Sequence, residues 1–164
     1  MMKRALLFGA IAGFAIIIIN TISLEMGFGE QWLGFLVMFI AFSSIFVAIK
    51  QVREGVLGGA IRFSTAFYLG LGITFVASLV YVLVWEFYLA LNDYSFIEGY
   101  IASLIESKQA TGVTEAEMQQ ILSEMNTLRE QYANPLIRLP MTFVEIFPVG
   151  LLVTLVSAAV LRKS

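Results

Sequence analysis

Glu86 and Glu145 are the only ionisable residues inside the long apolar runs of this 164-residue chain. An ionisable group at membrane depth is costly, so it marks a site by default. Asn20 and Glu86 fall near the ends of their runs and Glu145 near the start of its own, so antiparallel helices would bring all three to one level, and Arg138 opens the last run. Pro148 removes an N–H and frees the carbonyl of Val144 beside Glu145. A freed carbonyl with one or two carboxylates is an oxygen cluster that can hold a cation or relay a proton. Asn20, Glu86, Arg138 and Glu145 are therefore the candidate polar pocket. The plainer alternative has its own mechanism. Thr142-x-x-Glu145 has the spacing of a capping box, and Arg138 can pair with either acid.

The elements that would position these residues follow from hydropathy. Hydrophobic residues make up 59% of the chain and charged ones 13%, and the mean hydropathy is +0.87. That composition belongs to a polytopic membrane protein. The run Thr65–Leu91 exceeds the roughly 20 residues that a helix needs to cross about 30 Å of hydrocarbon. Four transmembrane helices are expected, at about 5–24, 32–49, 65–91 and 138–161. The first is longer than a signal-peptide core and lacks a small-x-small cleavage site, so it is expected to remain as a helix. Trp32 suits an interfacial anchor, as do Trp85 and Tyr88, which would leave Glu86 near the interface. Counting back from Leu161 puts Glu145 just inside the same boundary.

Small residues recur where helices would touch. Gly9 and Gly13 form a G-x-x-x-G pair; Gly34, Ala41 and Ala48 line helix two around Ser44; Ala66, Gly70, Thr74 and Ser78 line helix three; Gly150, Thr154 and Ala158 line helix four. Such ridges let backbones approach closely in lipid. Pro140 and Pro148 predict kinks in the last helix. Glu25 to Gln31 read as a short loop with Gly27 and Gly29, and the glycines of Lys50–Arg62 as a sharp reversal. The latter lacks the Walker pattern of a phosphate loop.

Residues 92–134 are the only long polar stretch. Ser95-x-x-Glu98 and Thr114-x-x-Glu117 are capping-box spacings, each followed by a one-sided apolar stripe, with Thr111 and Gly112 between them. This predicts an amphipathic helical hairpin between helices three and four. The stripes bury against each other and the bundle ends, or against a membrane surface or partner. Asn134 before Pro135 is the expected cap of the last helix. Lys3, Arg4, Lys50, Arg53, Arg62, Arg162 and Lys163 would share one face of the membrane, against Lys108, Arg129 and Arg138 on the other. Lys/Arg excess marks the cytoplasm, so both termini are expected inside and the hairpin outside.

WEFY at Trp85–Tyr88, the Asn134–Pro135 pair, MTFVEIFPVGLL from Met141 to Leu152 and GGAIRFSTAF ending at Phe67 together resemble a bacterial membrane family catalogued as domain of unknown function 4199. The resemblance covers essentially the whole chain. It implies a four-helix inner-membrane protein with an outward insert between helices three and four, and it brings no activity with it. With no Cys and no His, thiolate or imidazole metal sites and histidine or cysteine catalysis are excluded. No cofactor is expected, nor any nucleic-acid partner, since no long basic run or RNA-binding aromatic motif appears. Three function classes remain. The first is a structural or accessory protein whose hairpin contacts another membrane protein or a second copy. The second is a small carrier or cation/proton binder using Glu86 and Glu145. The third, a membrane-embedded enzyme, would have to work with acids and hydroxyls alone.

Overall fold

The computed structural model describes residues 2–25 and 31–163. Among them are six helices: α1 (Met2–Glu25), α2 (Gln31–Gly55), α3 (Phe63–Leu91), α4 (Phe96–Ala110), α5 (Glu115–Ala133) and α6 (Pro135–Leu161). Four of these, α1, α2, α3 and α6, are long and apolar enough to cross a membrane. The α1–α2 loop expected at Glu25–Gln31 lies mostly outside the described residues; Glu25 ends α1 and Gln31 opens α2.

Helix α2 corrects the sequence expectation that it closes at 49. It runs to Gly55, because Lys50, Gln51 and Arg53 end the apolar run but are good helix formers, and no glycine intervenes before 55. The reversal that follows uses Gly58 at φ 67° and Gly59 at φ 97°, where a side chain would be strained. Helix α6 continues through Pro140 and Pro148 without a break.

The chain divides into two compact units. The first comprises Met1–Val84 with Thr142–Ser164, and the second Trp85–Met141. In the first, the small-residue ridges are the contact lines. A methyl group at Gly9 would meet Val76 and the carbonyl of Ile73, and one at Gly13 would meet Val80 and the carbonyl of Ala77, so α1 rests directly on the α3 backbone. Gly70 of α3 lies against Thr154 and Ile45, and Gly150 of α6 against Thr74 and Phe42. Large side chains fill the rest of that interior, among them Ile16, Ile17, Phe42, Ile45, Ile49, Ile73 and Ile146. Two of its buried hydroxyls bond to each other, Thr74 Oγ1 and Thr154 Oγ1 lying 3.1 Å apart, and Ser78 donates to the Thr74 carbonyl at 2.9 Å. The opposite faces carry exposed large apolar residues such as Leu7, Ile40, Leu83 and Val160.

One end of this unit is closed by backbone pairing. Ile61 and Lys163 exchange N–H···O bonds of 2.9 Å in an isolated antiparallel bridge. Arg53 donates from Nη1 to the Leu161 carbonyl at 3.3 Å, satisfying a carbonyl that the end of α6 leaves without a helical partner.

Candidate functional site

The second unit holds the principal polar cluster. Helix α3 stops where Asp93 and Tyr94 both turn left-handed, at φ 50° and 55°, and the Leu89 carbonyl accepts the amides of Asn92 and Tyr94. A tyrosine in that conformation costs about 1–2 kcal/mol. The turn places the Tyr94 hydroxyl 3.2 Å from Glu86 Oε1, to which it donates. Helix α6 starts as expected. Asn134 Oδ1 accepts from the Leu136 amide at 3.0 Å, Pro135 occupies the first turn, and Arg138 follows on the same turn.

Arg138 and Glu86 form a two-pronged pair: Nε donates to Oε2 at 3.0 Å and Nη2 donates to Oε1. Nη1 donates to the carbonyl of Tyr132. The guanidinium lies 4.8 Å from the ring centre of Tyr94 and 5.7 Å from that of Tyr132, within cation–π range. Trp85 is buried and donates from Nε1 to the Tyr132 hydroxyl at 2.9 Å, with Phe96 edge-on at 4.9 Å. The Arg138 side chain is only 4% exposed and that of Glu86 26%. Of the two pairings open to Arg138 in the sequence, the fold makes the one with Glu86.

The other two candidates belong to the first unit. Asn20 is half-buried, and its amide oxygen faces Gly34 across the α1–α2 contact. Glu145 is on an exposed face of α6, beside exposed Met141, Val144 and Pro148. In the α3–α6 register, where Gly70 lies against Thr154 and Gly150 against Thr74, Glu145 falls level with Leu79. The capping box proposed for Thr142 and Glu145 does not form, because Thr142 lies well inside α6, which starts at Pro135. Among the described residues no three acids converge as a metal site requires.

A family model matches residues 7–163. The chain belongs to the family described as Protein of unknown function (DUF4199). The match spans the Glu86–Arg138 pair and both units. Searches against curated proteins and solved structures return no match.

The sequence reading of this family member missed Tyr94 and Tyr132 as partners of the pair. A faint signal for the first exists: Asn92-Asp93 favours a left-handed turn, and such a turn brings the next side chain back along the helix it ends. For Tyr132 there was none beyond its place on the α5 stripe.

Helices α4 and α5 meet through Arg129, which donates from Nε to Glu98 Oε1 at 2.7 Å and from Nη2 to Oε2 at 2.9 Å. The Ser95 cap expected for Glu98 is therefore absent. Ser95 is itself helical and makes no side-chain cap bond, and Glu98 is drawn across to α5. The Thr114–Glu117 box does form, with Glu117 accepting from the Thr114 amide and Thr114 Oγ1 accepting from the Glu117 amide. The hydrogen bonds and charge of Arg129 hold the Glu98 carboxyl below the usual carboxylate range, and the Thr114 amide and hydroxyl do the same for Glu117. Both acids bind their protons less readily folded than unfolded, so their contribution is fully present above the unfolded carboxylate value. It disappears as pH falls through the depressed folded value. Protection of the α4 and α5 amides against hydrogen exchange, taken relative to the intrinsic rate at each pH, should fall across that acid window. In Glu98→Gln the part of that fall due to Glu98 should be missing; an unchanged profile would show that this contact does not hold the two helices together.

Proposed function

We propose that this chain is a multi-pass protein of the bacterial inner membrane, acting as a structural or accessory component. In this reading α1, α2, α3 and α6 form a four-helix bundle with both termini cytoplasmic. Helices α4 and α5 form the extracytoplasmic hairpin that contacts a partner protein or a second copy. The observation that carries it is the Glu86–Arg138 pair, in which both carboxylate oxygens accept from the arginine. Arginine stays protonated under all ordinary conditions, so the pair serves to fix geometry and is poorly suited to passing protons. The alternative, a small carrier or cation binder using Glu86 and Glu145, must do without Glu86.

Charge supports the orientation. The stretch Trp85–Met141 contains eight of the twelve acids and three of the ten Lys/Arg. The other seven cations flank the start of α1, the end of α2, the start of α3 and the end of α6, as the positive-inside rule requires of cytoplasmic segments. The large apolar residues exposed on the long helices fit a lipid surround better than water. Ile97 and Ile101 of α4 are buried, and among the described residues of α4 and α5 only Tyr100 and Leu122 are large, apolar and exposed. A partner of the hairpin therefore meets a mainly polar surface on which Glu106, Glu124 and Glu130 are exposed.

The chain has no cysteine, so single cysteines report without background. In intact cells, Gln120→Cys should react with a membrane-impermeant maleimide, and Val56→Cys only after permeabilisation. A bifunctional reagent at position 120 should then capture one defined protein or a second copy. Protection of position 120 would reverse the orientation, and labelling without capture would remove the accessory role.

A further inference from the structure

We propose that an anionic phospholipid headgroup binds at the end of the first unit where the α2–α3 connection pairs with the residues after α6. The inference rests on the membrane-spanning reading above. The Ile61–Lys163 bridge exchanges both of its hydrogen bonds, so Arg62 and Arg162, each covalently next to a bridge residue, are carried on the two paired segments. Like charges brought together across a bridge destabilise it unless something neutralises them. Among the described residues no acid is paired with either arginine. Glu54, the acid of this end, is engaged by Arg53 at 2.9 Å. Among the described residues, Lys50, Arg62, Arg162 and Lys163 are all exposed and make no ion pair, in contrast to Arg129 and Arg138, each of which is matched by a glutamate.

A phosphodiester answers this arrangement. It supplies the missing negative charge, and its oxygens suit the guanidinium fork. Two features identify the source as lipid rather than free phosphate. The cations lie at the ends of three apolar helices, α2, α3 and α6, where headgroups are found. Exposed apolar side chains are interleaved with them: Val56 at 53%, Leu57 at 39% and Phe63 at 39%. A soluble anion gains nothing from those three, whereas a phospholipid covers them with its glycerol and upper acyl region.

The test uses the intact chain in mixed micelles of phosphatidylglycerol and phosphatidylcholine, with retained lipid counted by native mass spectrometry. Phosphatidylglycerol should be retained in preference, with the preference falling about fivefold for each cation removed. It should vanish in R62Q/R162Q/K163Q but persist in K108Q, whose site lies in the other unit. Should the triple variant fail to fold, raising salt on the native chain gives a second measure, because exposed charges are screened within about a Debye length. Equal retention of the two lipids, a preference unmoved by the triple variant or by salt, or displacement by millimolar inorganic phosphate would each overturn the assignment. Carbonate extraction of the same variants reads membrane insertion separately, so failure of the spanning reading is distinguishable.

Discussion

Glu86→Ala, with Arg138 left in place, is expected to destabilise the protein by about 3 kcal/mol, far more than the loss of an ordinary surface ion pair. The magnitude is decided by burial. Exposed pairs contribute about 0–1 kcal/mol because water replaces the lost partner. The Arg138 side chain is 4% exposed, so the variant leaves a buried guanidinium without the carboxylate that accepts from both Nε and Nη2. The double variant Glu86→Leu, Arg138→Met should recover most of the loss, since an apolar pair of similar volume carries no stranded charge. Denaturant unfolding would measure both, and Trp85 fluorescence in a Trp32→Phe background would localise the change to this cluster. A single variant within about 0.5 kcal/mol of native would show that the pair is dispensable. The structural role built on it would go with it.

The second large effect is Gly13→Ala. Helix propensity alone favours alanine by about 1 kcal/mol, so the sign is a contest between backbone entropy and space. Space wins here. The added methyl would sit 2.6 Å from the Ala77 carbonyl oxygen and 2.9 Å from Val80 Cβ, atoms fixed by the α3 backbone. Helix α1 must move away along its length, and a loss of about 2–3 kcal/mol is expected. Gly99→Ala is the internal control: nothing lies within 4 Å of its new methyl, so α4 should become slightly more stable. Equal responses from the two glycines in an unfolding titration would remove close approach as the reason for the α1 glycines.

What could be read from the residues in order was whatever depends on neighbours in order. Apolar runs long enough to span, ridges of small residues, the Thr114–Glu117 box and the Asn134–Pro135 start are all settled within a few turns of helix, and all appear in the fold. Where the reading failed, a distant group outbid a local one. Ser95 lost Glu98 to an arginine 31 positions away. The Thr142–Glu145 box gave way because α6 had already begun at Pro135.

The candidate pocket separates along the same line. Composition and spacing alone named Asn20, Glu86, Arg138 and Glu145, because an ionisable or amide group in an apolar run is visible without coordinates. Which of them meet was a matter of three dimensions. Glu86 and Arg138 are 52 positions apart, and their pairing depends on where α3 stops, how the Asp93–Tyr94 turn aims the tyrosine, and where α6 starts. The chain order determined four helices long and apolar enough to span and a polar insert with the opposite charge balance. Only the tertiary structure decided that one glutamate is clasped by an arginine and the other is exposed, because a side chain's partner is set by helix ends and facing angles that no local pattern encodes.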